Sequence, residues 1–146
     1  MKLLLPFDGS PAAVRALEYV AALEHRDALH VHLLNVQPHT VDDDVYLEPL
    51  LKGGENMLRG AARQLEARAI SHSSEVAVGS AAAAIVARAR AERFAAIVMG
   101  VRGAMVRLFT GSVSRGVVRD AGLPVMLVDA SGQTRVATET GARGLR

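Results

Sequence analysis

The 146-residue chain contains no cysteine and no tryptophan, and only 3% of its residues are aromatic. The absence of cysteine excludes a disulfide framework, a thiolate zinc site and a thiol nucleophile. The scarcity of aromatic side chains argues against single-stranded nucleic acid as a partner, because base stacking needs aromatic platforms. The formal net charge of +2 is too small to drive binding to duplex nucleic acid or to a membrane surface.

Long apolar runs are also missing from the chain. No stretch approaches the roughly 18 apolar residues of a membrane span, and the first run, residues 3–7, is too short for a signal peptide. Since domains typically have roughly 100–200 residues, the length favours one domain. We therefore expect one cytoplasmic domain over residues 1–129, followed by a polar tail over residues 130–146 that is mobile.

Half of the residues are hydrophobic, and many of them fall in five short apolar runs: residues 3–7, 29–36, 75–78, 95–99 and 125–128. Between the runs, apolar residues recur at steps of three and four, which is the period of a helix. Near-continuous apolar strands that alternate with helices predict a parallel sheet covered on both faces. The predicted fold is therefore Rossmann-like α/β, a doubly wound five-stranded parallel sheet with helices on both faces.

Capping residues locate most of the helix ends. Ser10 is a good N-cap, and Pro11 suits the first position of a helix. An alanine-rich stretch over residues 81–93 has the strongest helix propensity in the chain. Gly122 ends the last helix. The second helix, with apolar residues from 51 to 69, contains several glycines, so the sequence does not define where it begins.

Ligands of an open parallel sheet bind at the carboxyl ends of the strands. This rule selects residues 8–10 after the first strand, residues 36–40 after the second, and the segment that follows Met99. The last segment has the motif Gly100-Val101-Arg102-Gly103, then seven residues, then Gly111-Ser112-Val113-Ser114.

Glycines let backbone N–H groups approach an anion, and a helix that begins at Ser112 offers unpaired N–H groups with a partial positive charge. The hydroxyl of Ser114 could add a donor, and Arg102 and Arg107 could pair with phosphate oxygens. The alternative interpretation is structural: the glycines form a turn, and Ser112 only caps a helix. The spacing alone does not separate a phosphate site from this alternative.

Six segments, in order along residues 1 to about 129, together resemble the universal stress protein family: residues 6–10, 78–80, 97–100, 100–103, 111–114 and 123–128. The resemblance implies the strand order 3-2-1-4-5 and a homodimer paired through the last strand, Val125 to Val128. It also implies a site for ATP or another adenine nucleotide, with or without Mg²⁺. Carried over by position, Asp8 and Val36 would face the adenosine, and Gly100, Gly103, Gly111, Ser112 and Ser114 would hold the phosphates. The complete candidate site is Pro6, Phe7, Asp8, Gly9, Ser10, Val36, Met99, Gly100, Arg102, Gly103, Gly111, Ser112, Val113 and Ser114.

The chain departs from the ATP-binding branch of that family in one spacing. The spacer from Ala104 to Thr110 has seven residues, two fewer than the family's nine. Two residues remove up to roughly 7 Å of extended reach, so the loop could close on AMP or ADP, or could bind nothing.

The resemblance predicts a stress-response regulatory homodimer that binds an adenine nucleotide and acts on an unidentified protein partner. Any ATP hydrolysis or autophosphorylation would be slow and incidental, so we do not expect an enzyme. The alternative is a nucleotide-free dimeric interaction protein with a degenerate phosphate loop. Neither interpretation involves nucleic acid or a membrane.

Two other groups of residues could bind a metal. His30 and His32 lie on one face of a predicted strand, at a spacing that two ligands would need, but we favour partly buried, hydrogen-bonded histidines. Residues 42–44 are three aspartates that could help to hold Mg²⁺ brought by a nucleotide. We favour a solvated loop that caps the following helix.

Overall fold

The computed structural model describes residues 1–24, 26–38, 43–102 and 111–138. A short 3-10 turn, Arg26–Ala28, precedes the second strand. The other elements of this part of the chain are β1 (Lys2–Pro6), α1 (Pro11–Ala21), β2 (His30–Gln37), α2 (Asp43–Ala67), β3 (Ser71–Val78), α3 (Ala81–Ala91), β4 (Ala96–Gly100), α4 (Ser112–Asp120), β5 (Val125–Val128) and β6 (Thr134–Ala137).

The described strands form one sheet in the order β3-β2-β1-β4-β5-β6. The first five pair in parallel, whereas β6 runs antiparallel to β5. The predicted doubly wound α/β fold with the order 3-2-1-4-5 is confirmed, and the sixth strand extends it at one edge.

The two faces of the sheet carry separate apolar cores, because successive side chains of a strand point to opposite faces. Leu3 and Leu5 of β1 pack with α1 and α2 on one face. Leu4, between them, packs with α3 and α4 on the other. Leu4 and Leu5 are fully buried, so β1 is covered on both faces and lies at the centre of the domain.

Within the predicted tail, Thr134–Ala137 form strand β6, and a hydrogen-bonded turn precedes it. Asp129 is 1% exposed, and its Oδ1 accepts hydrogen bonds from the Ser131 backbone N–H at 2.9 Å, the Ser131 hydroxyl at 2.6 Å and the Gln133 backbone N–H at 2.9 Å. Gly132 has a φ of +82°, which glycine adopts without strain. This turn directs Thr134–Ala137 back along β5, so the predicted pairing of β5 with a second copy is not open while β6 occupies that edge.

Two other elements differ in length from the prediction. Strand β3 begins at Ser71, four residues before the apolar run, because histidine side chains of β2 hydrogen-bond its serines. Helix α2 begins at Asp43 although Pro49 lies inside it. The glycines at 53, 54 and 60 had left this start undefined in the sequence, and Pro49 removes only one backbone donor from the helix.

The first turn of α1 lies directly against the end of β4. A Cβ atom at Gly100 would be 1.9 Å from the carbonyl oxygen of Ala12 and 2.2 Å from its carbonyl carbon. Both atoms belong to the backbone and cannot move aside as a flexible side chain would. Only glycine fits at this position, because any side chain would push α1 away from the sheet.

The replacement Gly100→Ala should destabilise the fold by about 2–3 kcal/mol, because the methyl group overlaps the Ala12 backbone. The melting temperature should fall by roughly 5–10 °C in a thermal unfolding experiment. The control is Gly60→Ala in α2, where no atom lies within 4 Å of the added methyl group. That variant should gain about 0.5–1 kcal/mol from helix propensity. Equal melting temperatures for the two variants would contradict the steric argument.

Candidate functional site

A cavity of about 390 Å³ opens at the carboxyl edge of the sheet. Its walls come from the ends of β1, β2 and β4 and from the first turns of α1, α3 and α4. The lining residues are Pro6, Phe7, Asp8, Ser10, Ala12, Ala13, Leu34, Val36, Ala81, Ile85, Met99, Gly100, Val101, Arg102, Gly111, Ser112, Val113 and Ser114. The volume lies within the usual range for small-molecule sites, roughly 300–1,000 Å³.

The turn after β1 is held by hydrogen bonds within it. The Ser10 backbone N–H donates to Asp8 Oδ1 at 2.9 Å, and the Ser10 hydroxyl accepts from the Ala13 N–H at 3.2 Å. Gly9 between them has a φ of +76°, a conformation that favours glycine. The exposed Asp8 carboxylate is therefore fixed at the cavity, and among the described residues no hydrogen bond reaches its second oxygen.

The buried side-chain amide of Asn35 hydrogen-bonds the backbone at the start of this turn. Asn35 is 1% exposed, and its Nδ2 donates to the carbonyl oxygen of Phe7 at 2.9 Å. Its Oδ1 accepts a hydrogen bond from Gln37 Nε2 at 2.6 Å. A Cβ at Gly54 of α2 would lie 2.7 Å from that Oδ1, so the helix packs closely over the amide. Asn35 was not among the predicted site residues, although a polar residue within an apolar strand was a visible signal.

Three helices begin at the cavity, and their amino ends differ in how they are capped. Ser10 caps α1 with its side chain. Within the described part of the chain, neither Ser80 before α3 nor Gly111 before α4 makes a side-chain cap hydrogen bond. The Ser114 hydroxyl donates to the Gly111 carbonyl oxygen at 3.2 Å and so does not cap the helix either. The first-turn N–H groups of α3 and α4 are therefore available to an anion.

The rest of the cavity surface is mostly apolar. Phe7, Val36, Ile85 and Met99 are among its large apolar residues. Asp8 and Arg102 are the charged side chains among the described lining residues. The cavity thus combines an apolar wall, one carboxylate, one guanidinium group and two uncapped helix ends. This arrangement suits a ligand with a flat apolar part and an anionic group.

The structure brings nearly all of the predicted site residues together. Of the fourteen candidates, twelve line the cavity. Gly9 shapes the turn without lining it, and Gly103 lies outside the described residues, as do Arg107 and the spacer 104–110. Lining residues that the sequence did not indicate are Ala12, Ala13, Leu34, Ala81, Ile85 and Val101. Leu34 could have been found, because it is two residues before Val36 and shares its face of the strand.

The residues of the two metal hypotheses lie in different surroundings. Among the described residues, no group of three or more histidine, aspartate or glutamate side chains could hold a metal ion. His30 and His32 are hydrogen-bonded to serines and a glutamate instead, as the favoured interpretation expected. Asp43 and Asp44 are the first residues of α2, and Asp42 lies outside the described part of the chain.

No helix among the described residues is long and apolar enough to cross a membrane.

The model of the universal stress protein family matches residues 1–129. No curated protein sequence matches the chain. A universal stress protein from Archaeoglobus fulgidus has a similar structure, with 27% identity and a TM-score of 0.74 over 86% of this chain. The match spans 49% of that protein, so the present chain corresponds to about half of its length.

Two more distant structures share the fold. A family member from Arabidopsis thaliana with AMP bound is 19% identical, with a TM-score of 0.71 over 88% of this chain and 91% of its own. A universal stress protein in complex with cAMP is 17% identical, with a TM-score of 0.69 over 88% of this chain and 96% of its own.

Proposed function

The chain belongs to the universal stress protein family, and we propose that it binds an adenine nucleotide in the cavity at the carboxyl edge of β1, β2 and β4. The observation that carries the proposal is the presence of two uncapped helix ends and an apolar wall in one cavity. The AMP and cAMP complexes of proteins with the same fold support adenine as the base.

Each part of the nucleotide has a chemically suitable region of the cavity. The adenine would pack against apolar side chains such as Val36 and Met99. The free oxygen of Asp8 would accept a hydrogen bond from a ribose hydroxyl. The phosphate would accept hydrogen bonds from the first-turn N–H groups of α4 and from Ser112, with Arg102 able to pair with its charge.

We propose a regulatory role rather than turnover of the nucleotide. Among the described lining residues, Asp8 is the one carboxylate, and there is no histidine or lysine that could act as a general base. Slow ATP hydrolysis or autophosphorylation would then be incidental. Mg²⁺ would arrive with the phosphates of the nucleotide. The proposed setting is a cytoplasmic stress response in which the bound nucleotide alters contacts with a protein partner.

The replacement Ser112→Glu should weaken nucleotide binding at least tenfold, because it places a carboxylate where the proposed phosphate lies. Ser112 is exposed at the start of α4, so the fold should tolerate the change. The measurement is the shift in melting temperature with AMP, ADP, ATP and cAMP, each with and without Mg²⁺. With a nucleotide at about 100 times its Kd, the free energy of unfolding of the wild type should rise by about 2.7 kcal/mol. The melting temperature should then rise by several degrees.

The matched control for this charge is Ser74→Glu on β3, because Ser74 is also exposed but does not line the cavity. Its nucleotide affinity should equal that of the wild type. If no adenine nucleotide shifts the melting temperature of the wild type, the proposal fails. The alternative of a nucleotide-free interaction protein would then be preferred.

The short spacer generates a separate prediction about nucleotide length. Inserting two residues between Ala104 and Thr110 should raise the affinity for ATP about tenfold, since it restores up to roughly 7 Å of loop reach. The affinity for AMP should change little, because AMP lacks the terminal phosphates that the longer loop would contact. Isothermal titration with both nucleotides measures the ratio. An unchanged ratio would mean that the spacer length does not limit ATP binding.

We also propose that the chain forms a homodimer, through β6 rather than through β5. The Asp129 N–H donates to the Gln133 carbonyl oxygen at 2.9 Å, which makes these two residues a hydrogen-bonded pair. Because such pairs alternate along an antiparallel ladder, the backbone groups of Thr134 and Val136 point away from β5. Val136 is also 54% exposed, so its apolar side chain is accessible to a partner. A second copy could pair with this edge.

The replacement Val136→Pro should lower the dimer fraction severalfold, because it removes an outward N–H while sparing the bonds to β5. Sedimentation velocity at several concentrations measures the association, and thermal unfolding checks the hairpin. Arg135→Pro is the comparison, because its N–H points towards β5, so that variant should lose stability. A wild-type chain that is monomeric, or a dimer that Val136→Pro leaves intact, would refute the β6 interface.

A further inference from the structure

The strand pairing between β1 and β2 ends just before the turn that carries Asp8. The last partners in register are Pro6 and Leu34, and the Phe7 backbone N–H still donates to the Leu34 carbonyl oxygen at 2.8 Å. The Phe7 carbonyl oxygen accepts from the side-chain Nδ2 of Asn35 at 2.9 Å. A side chain of β2 therefore holds the first carbonyl group that follows β1.

Hydrogen bonds on both sides of Asp8 determine where its carboxylate points. Because a peptide group is planar, the bond from Asn35 to the Phe7 carbonyl oxygen orients the whole peptide group that leads to the Cα of Asp8. After Asp8, the Ser10 backbone N–H donates to Asp8 Oδ1 at 2.9 Å. The direction of the carboxylate thus depends on Asn35 as well as on Ser10.

The hydrogen bonds of the Asn35 amide allow one orientation. The Phe7 carbonyl oxygen accepts but cannot donate, so the amide must present its nitrogen there. Its oxygen then accepts from Gln37 Nε2 at 2.6 Å. The amide nitrogen also lies 3.2 Å from the Met57 sulfur, which accepts its second N–H. Because Asn35 is buried, bulk water does not compete for these bonds.

Helix α2 packs over the same amide and the same turn, although it contributes none of the described lining residues of the cavity. A Cβ at Gly54 would lie 2.7 Å from Asn35 Oδ1. A Cβ at Gly9 would lie 3.3 Å from the Met57 sulfur. These close contacts leave little space in which the amide could turn away from the Phe7 carbonyl oxygen.

We propose that Asn35 is a positioning residue that directs the Asp8 carboxylate towards the ribose of the bound nucleotide. The inference rests on the proposed nucleotide site and adds the residue that sets its selectivity for the sugar. Asn35 is not among the described lining residues, so it acts on the ligand through Asp8 and not by contact. Without its bond, the peptide group before Asp8 turns and the carboxylate no longer meets a ribose hydroxyl. The apolar wall and the first turn of α4 still hold the rest of the ligand.

The test compares the affinities for AMP and for dideoxy-AMP, which lacks both ribose hydroxyls, by isothermal titration. A hydrogen bond to a carboxylate typically changes an affinity by about tenfold or more, so the wild type should bind AMP at least about tenfold more tightly. Asn35→Leu keeps the branched shape of the side chain without its amide. This variant should bind AMP about tenfold more weakly and dideoxy-AMP within about twofold of the wild type.

A double-variant cycle tests whether Asn35 acts through Asp8. Asp8→Ala should lose the ribose selectivity by itself. Adding Asn35→Leu to Asp8→Ala should then change neither affinity by more than about twofold, because the two residues act on one contact. A general distortion of the cavity by Asn35→Leu would instead weaken both nucleotides in either background, and that result would refute the positioning role.

The matched control for lost stability is Ile70→Val, because Ile70 is buried in the same apolar core as Phe7 and does not line the cavity. It should lower the melting temperature and keep the selectivity of the wild type. Asn35→Ser removes the bond to Phe7 without adding an apolar side chain and should reproduce the loss of selectivity. Thermal unfolding checks each variant. If neither Asn35 variant folds, Asn35 is a purely structural residue and the inference fails.

The outcomes separate this inference from the proposed function. A wild type that binds no AMP refutes the nucleotide site, and the inference with it. Two results would refute the positioning role alone and leave the nucleotide site intact. One is a wild type that binds AMP and dideoxy-AMP equally. The other is a folded Asn35→Leu variant that keeps the selectivity of the wild type.

Discussion

The close contact between α1 and the end of β4 is the constraint on which the cavity depends. The Ala12 carbonyl group occupies the space where any side chain at Gly100 would lie. Because α1 is pressed against β4 in this way, the turn after β1 faces the segment after β4 across a single cavity. If α1 lay further away, Asp8 and Ser112 would belong to separate surfaces. The glycine that resembles a phosphate-binding residue in the sequence is therefore also a packing residue.

Most of the fold could be predicted because its signals are local. Apolar runs marked the parallel strands, and the predicted N-cap Ser10 does accept the Ala13 N–H. The parts of the fold that the sequence did not predict depend on partners distant in the sequence or on a particular turn. The first half of β3 is polar and pairs through histidines some forty residues earlier, since His30 and Ser71 are 41 residues apart. Strand β6 is mostly exposed and depends on the buried Asp129 for its position.

The candidate site likewise contains residues that the sequence predicts and residues that it does not. Residues at strand ends could be predicted, because parallel strands bring their carboxyl ends to one edge whatever the details of packing. The wall formed by Ala81 and Ile85 could not, because it depends on where α3 lies over the sheet. Asn35 was missed for a related reason. A polar residue in an apolar run was visible, but its partner is the Phe7 carbonyl oxygen just after the neighbouring strand. A backbone acceptor cannot be identified from the sequence.

The two ends of the sheet use different chemistry and can therefore act separately. The cavity relies on backbone N–H groups, and of its described lining residues only Asp8 and Arg102 carry charge. At the opposite end, histidine side chains of β2 hydrogen-bond serines of β3. Strand β2 belongs to both, but β3 contributes none of the described lining residues. A change confined to the first half of β3 would therefore leave the cavity walls in place.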